Sequence, residues 1–384
     1  MKTDSGFWTP KNGLSVDSEH ITDASKENLL VLFFADRKQI EAGDFFEDLR
    51  QRYPNGHLVG CSSGGEILQD YVSDEGCVFS CIDFEHTTYK IHVEPLLDHS
   101  QSFTAGHNVG NALDSTDLKA VFVLSDGLHA NGSRFVQGIN ESTHDGVVIS
   151  GGLAADNMRF ESTCVGYNEN PKPKQVVAIG FYGDKIDIRT GSKDGWSIFG
   201  PIRTITKASG PVLFELDGKP ALDVYKKYLG DEAKDLPKSG LSFPCAIWSP
   251  EQDFSSYVIR TILAVDEKEQ SMTFAGDIPQ GHHLRLMWGK FDELIDAAAR
   301  SAQTATPFSS ESSDSLSIMI SCIGRKALMG QRIIQEIIEA HKIFDNKTTN
   351  IGFYSYGEIA KHQIDGKPVL HNQTMTITTF SEIA

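Results

Sequence analysis

Little in this chain reads as a disulfide framework, a metal site or a membrane segment. The six cysteines, Cys61, Cys77, Cys81, Cys164, Cys245 and Cys322, are scattered through 384 residues without a C-x-x-C pair. That pattern points to a reduced, cytoplasmic protein. Cys77 and Cys81 stand four apart in a strand-like run, so they share one face and read as buried small hydrophobes; zinc would need two more convergent ligands. No apolar stretch approaches the roughly 18–20 residues that a membrane-spanning helix requires. Residues 1–10 carry no secretory apolar run. Basic clusters are missing as well. With 52 acidic against 35 basic residues and a formal charge of −17, the surface repels a phosphate backbone, which argues against nucleic acid as a partner.

What the chain does have is a repeat. Gly60-Cys61-Ser62-Ser63-Gly64-Gly65-Glu66-Ile67 returns as Gly352-Phe353-Tyr354-Ser355-Tyr356-Gly357-Glu358-Ile359, a G-x-x-S-x-G-E-I pattern at one offset, 352 − 60 = 292. Each copy follows a strand-like run (29–34, 316–323), a helical spacing of apolar residues (45–53, 333–344) and a short second strand (57–59, 350–352). A weaker third version has strands at 120–124 and 147–149, a short helix at 133–140, and ends in Gly151-Gly152-Leu153-Ala154-Ala155-Asp156. Glycines directly after an apolar strand permit positive φ and close approach of a ligand or another chain segment. Such loops are either plain turns or the lining of one cavity. In the second case Ser63, Gly64, Gly65, Glu66, Gly151, Gly152, Asp156, Tyr354, Ser355, Tyr356 and Glu358 supply its clearance and its polar groups. Glu66 and Glu358 also have a structural reading, completing loop hydrogen bonds.

Strands at 176–182 and 186–190, and at 201–205 and 212–216, read as pairs turning at Gly183-Asp184 and Ser209-Gly210. Further on, 257–265 with 271–275 reads as a hairpin, then a strand at 284–288 and a helix over 291–302. The Pro- and Gly-containing stretch 231–242 reads as a linker, giving domains 1–235 and 236–384. The expected fold class is mixed α/β (α+β): two related domains with mixed sheets flanked by helices.

These residues resemble the FIST family over nearly the whole chain. Beyond the repeat, the resembling blocks include Ser125-Asp126-Gly127-Leu128, Gly195-Trp196, residues 220–225, Ser321-Cys322-Ile323-Gly324-Arg325 and Leu370-His371-Asn372-Gln373-Thr374. The chain departs from many relatives at Lys193-Asp194-Gly195-Trp196, where they carry a His before the Gly-Trp pair. The resemblance implies a non-catalytic, cytoplasmic small-molecule sensor that regulates a partner histidine kinase or cyclic-di-GMP enzyme. It is most like the stand-alone subfamily that binds haem b and responds to nitric oxide. The alternative ligand is an amino acid or another polar metabolite.

Among thirteen histidines, His371 shares strand parity with Met375 and Ile377 and so faces the apolar side. It is the first choice for a haem axial ligand, beside Asn372 in the binding set, and His341 is the second. The absence of C-x-x-C-H rules out covalent haem attachment. A remote rival is a serine hydrolase using Ser62, because Gly60-Cys61-Ser62-Ser63-Gly64 fits G-x-S-x-G. The short acidic stretch 68–76 supplies no helix for a nucleophile elbow, and the second copy has Tyr354 in place of Ser62.

Overall fold

The strand–helix–strand–glycine pattern occurs three times in full. The computed structural model describes every residue except 308–313, 345, 346, 363, 365 and 384. Repeat one has a leading strand Leu30–Asp36, two helices, a following strand His57–Ser63 and an arm Glu66–Leu68. Repeat two has a leading strand Leu118–Ser125, the helix Gly132–Ser142, a following strand Val148–Leu153 and an arm Val165–Tyr167. Repeat three has Ser315–Cys322, the helices Ile323–Met329 and Ile333–His341, Thr348–Ser355 and the arm Gly357–Lys361. In each, leading and following strands are parallel. An antiparallel third strand (Cys77–Asp83, Gln175–Tyr182, Met375–Glu382) flanks the leading strand, with an outer strand beyond it. The mixed α+β class is therefore the observed one. The two related units expected from the sequence are present as repeats one and three, and the weaker middle version is a third, complete repeat whose loop lacks the serine and glutamate.

Each arm leaves its own sheet. The arm of repeat one pairs with the following strand of repeat three, that of three with the following strand of two, and that of two with the following strand of one. This cyclic exchange closes three six-stranded sheets into a triangle. Alternation at period 2 puts Leu30, Leu32 and Phe34, Ala120, Phe122 and Leu124, and Leu316, Ile318 and Ile320 in one central core. The opposite parity meets the helices, as Val31 and Phe33 do against Phe45 and Leu49. Sheets buried on both faces explain why the leading strands read as near-continuous apolar runs.

Between the outer strand of repeat three, Ile186–Lys193, and its helix Phe291–Ala305 lies an inserted nine-stranded unit spanning 196–289, with the helix Ala221–Leu229 and its own core. This placement corrects one sequence expectation. Strand 186–193 does not pair with 175–182; it crosses to Met375–Glu382, because Gly183 marks the join between repeats two and three. Residues 231–242 lie inside the insert, largely as two short 3-10 helices, Gly230–Asp235 and Lys238–Leu241, with Ala233, Leu236 and Phe243 against its core.

The shared glycine of the repeat has a structural cause. Gly60, Gly151 and Gly352 lie opposite Phe33, Val123 and Met319 in their ladders. An added Cβ at any of the three would overlap the carbonyl oxygen of that partner. Gly352→Ala is accordingly expected to destabilise the protein by about 1–3 kcal/mol through overpacking, read as a lower urea midpoint with unchanged slope; an unchanged midpoint would refute this reading of the repeat.

Candidate functional site

The three glycine loops meet in a ring. Ala155 N donates to Ser62 O (3.1 Å), Gly64 N to Tyr354 O (2.7 Å), Tyr354 N to Gly65 O (2.9 Å) and Tyr356 N to Leu153 O (3.1 Å). The sequence copies also share a side-chain bond: Ser63 Oγ donates to Glu66, and Ser355 Oγ donates to Glu358 at 2.7 Å. All four of these side chains are buried. Glu358 additionally accepts from Thr374 N (3.2 Å) and Thr374 Oγ1 (2.9 Å). Burial pushes its carboxyl up to about 7, with these hydrogen bonds opposing. Glu66 has an oxygen without a partner, and burial raises it well above the usual carboxylate range. Gly64 and Gly152 clear space that protein already fills: an added Cβ would meet Ile323 at 2.6 Å and Ile320 at 2.9 Å. Gly65 and Gly151 take positive φ.

Asp156 organises the next loop. It accepts from the N–H groups of Phe160, Glu161 and Ser162 at 2.9–3.0 Å, from the Tyr356 hydroxyl and from Arg37 at 3.1 Å. Burial alone would raise this carboxyl, but those donors outweigh it and hold it below the ordinary value. Tyr354 is buried, with its hydroxyl 3.4 Å from Glu336.

His371 sits opposite Glu358 in the arm ladder, buried, its Nε2 without a partner. Burial, with Arg260 and His362 nearby, pushes it down to about 3 and keeps the imidazole neutral. The Asn372 amide donates to His371 O at 3.0 Å and leaves its own oxygen unpartnered. His341 accepts through Nδ1 from the Asn350 amide at 2.9 Å. Ser62 is buried and its hydroxyl accepts from Cys164 N at 2.9 Å, which anchors the backbone there. All six cysteines are buried free thiols. Among the described residues no cluster of metal-ligating side chains forms, and no helix is long and apolar enough to cross a membrane.

The cavity lies to one side of the ring, where repeat two, repeat three and the insert meet. It measures about 720 Å³. Its walls come from the loop after the leading strand of repeat two (Gly127, Leu128, Gly132), from Met158 and Phe160, from Cys322 and Gly324, and from insert residues such as Leu241, Ile262 and Phe274. Of the thirteen side chains and glycines expected from the sequence, Tyr356 stands in this wall, stacked on Phe160 at 4.7 Å and 10°. The others form the ring or lie behind it. Sequence reading missed the insert's share. One long strand is expected over 257–265, yet it breaks at Thr261. Val258–Arg260 pairs with Cys245–Trp248, whereas Ile262–Asp266 pairs with Ser271–Phe274. At the break Thr261 faces the cavity, 5% exposed, with a hydroxyl that has no hydrogen-bond partner.

Most of the chain matches a known class of sensory module. Residues 29–219 match the FIST N domain and residues 221–361 the FIST C domain. The chain belongs to the FIST family, whose domains are signalling sensor domains. It is 24% identical over 393 aligned residues, 92% of this chain and 74% of the other, to the uncharacterized protein MJ1623 of Methanocaldococcus jannaschii. Solved structures give only faint likeness. A cyanuric acid hydrolase from A. caulinodans is 9% identical, covering 78% of this chain and all of that one, with a TM-score of 0.19. PurLQS from Thermotoga maritima is 9% identical, covering 94% and 67%, with a TM-score of 0.17.

Proposed function

We propose that this protein senses a small organic molecule held in the cavity at the seam, and that it signals by regulating a partner enzyme in the cytoplasm, a histidine kinase or a cyclic-di-GMP enzyme, without turnover of its own. The observation that carries this reading is the buried, unpartnered hydroxyl of Thr261 in a predominantly apolar cavity. A buried hydroxyl without a partner is expensive, and a ligand oxygen or nitrogen supplies the missing bond. Because the walls belong to both the repeats and the insert, a ligand touching both biases how the insert sits. A difference in affinity between two such placements is what transmission to a partner requires.

Haem does not suit these walls. His371 and His341, favoured from the sequence, stand outside the lining, and the imidazole within it, His99, is exposed at the mouth. The unpartnered Nε2 of His371 lies in the arm ladder instead. A reconstitution titration that gave a Soret band lost in His371→Ala would restore haem and nitric oxide as the leading pair.

Thr261→Val tests the main reading. Removing an unpartnered hydroxyl at constant shape is expected to stabilise the ligand-free protein by about 1 kcal/mol, while any cavity ligand that uses the hydroxyl binds several-fold more weakly. Denaturant unfolding and calorimetric titration read the two effects separately. A variant that is destabilised would mean that the hydroxyl already serves the fold, and the reading would fail.

A further inference from the structure

The charge of the cavity wall is at odds with that of the chain. Acidic residues make up 52 of 384, so 24 positions taken at random would include about three. The 24 lining residues include no aspartate or glutamate; their charged side chain is Lys238, and the imidazole of His99 joins it. Both are exposed, one on the insert and one on repeat two, so they flank the mouth. Three carboxylates lie close behind the wall, but each is turned into the protein. Asp126 accepts from Leu128 N, His129 N, Lys174 N and Thr163. Asp156 holds the loop of Phe160, and Asp277 accepts from the Asn131 amide at 2.8 Å. They build the wall and leave no carboxylate lining the cavity to pair with an ammonium. Met158, Phe160 and Leu263 add apolar surface at the rim, exposed by 37%, 47% and 46%.

From this we infer that the ligand is an amphiphilic organic carboxylate, its apolar body inside the cavity and its charged end at the mouth beside Lys238. The inference rests on the cavity being the sensory site, and it narrows the ligand class. An uncompensated cation at the rim of an apolar cavity stabilises an anion there and repels an amine. A free amino acid fits poorly, since its ammonium would be desolvated without a counter-charge.

Three probes of one shape separate the possibilities: dodecanoate below its micellar concentration, dodecan-1-ol and dodecylamine, titrated calorimetrically into the full chain. Dodecanoate is expected to bind most tightly. Lys238→Gln should weaken it by roughly three- to five-fold, the order of a rim charge, and leave the alcohol unchanged. Ala275→Phe, which fills the cavity from a partly exposed position, should abolish binding of every probe. If the alcohol or the amine binds as well as dodecanoate, or if Lys238→Gln leaves dodecanoate unaffected, the carboxylate assignment is overturned while the cavity remains the site. If no probe shows binding that Ala275→Phe removes, both the assignment and the site are lost.

Discussion

Arg325→Leu is expected to lower stability by about 3–5 kcal/mol, one of the two largest effects foreseen for this protein. The guanidinium is completely buried and grips Glu336, itself completely buried, through Nε (3.0 Å) and Nη2 (2.8 Å). Its remaining N–H groups donate to Asp194 O (2.7 Å), Gln373 O (3.3 Å) and Leu294 O (2.8 Å). Asp194 precedes the insert and Leu294 follows it, so one side chain ties together the two ends of the chain where the insert leaves repeat three. Truncating one partner of a buried pair strands the other charge, and that penalty exceeds what the pair contributes over an apolar replacement. In the variant, Glu336 would retain only Ser321 Oγ and the long contact to Tyr354. Removing the stranded charge as well, in Arg325→Leu/Glu336→Gln, should recover part of the loss, because neighbours in one network are not additive. Urea unfolding of the single and double variants checks both points; a single variant within 1 kcal/mol of the parent would show that the carbonyl contacts and the ion pair are dispensable.

How much of this could be read from sequence depended on whether the cause was local. Strand periodicity at 29–34 and 316–323 and the helical spacing at 45–53 are local, and they correspond to the strands Leu30–Asp36 and Ser315–Cys322 and the helix Asp44–Arg52. The paired G-x-x-S-x-G-E-I motifs stood out because each Ser–Glu bond is local, three residues apart, whereas the ladder glycine answers to a strand partner distant in sequence. The role assigned to those glycines was incomplete, since the sequence cannot say whether cleared space receives a ligand or a neighbouring strand. Here the carbonyls of Phe33, Val123 and Met319 take it. The middle repeat was faint because its loop carries Ala154 and Ala155 where the others have Ser-Gly or Ser-Tyr, although its strand pairing is the same. The cavity was not legible at all. Its walls join Leu128, Thr261, Cys322 and Tyr356 across more than two hundred residues, and nothing near Thr261 announces that its strand changes partner there.

Glu358, in the same ring, should contribute stability that is lost as pH rises from about 4.5 to 7. Glu358 has a folded-state value of about 7 against 4.5 for the free side chain. Below about pH 4.5 both states hold the proton and the contribution is fully present. Between about 4.5 and 7 the unfolded chain releases its proton while the folded protein keeps it, so stability drops with pH; above 7 the buried carboxyl ionises in place and the loss levels off. The full span corresponds to about 3 kcal/mol. Glu66, raised by burial and with one oxygen unpartnered, acts in the same direction. Two groups work the opposite way: Glu382, held down at about 2 by its backbone and N-terminal donors, which outweigh burial, at more acidic pH, and His371, pushed by burial to about 3 against 6.5 for the free side chain, between about pH 3 and 6.5, so the difference between parent and a Glu358 variant is what isolates Glu358. Glu358→Gln keeps the shape and removes the titration; its amide can face Ser355, whose hydroxyl then accepts, while its oxygen accepts from Thr374. The variant should match the parent near pH 4.5 and exceed it at pH 8 by up to about 3 kcal/mol, and adding Glu66→Gln should raise stability at pH 8 further. Chemical denaturation at pH 4.5, 6 and 8 decides it: parallel curves for parent and variant would mean that Glu358 is ionised in the folded protein throughout, and that the Ser–Glu bonds of the ring join charged carboxylates.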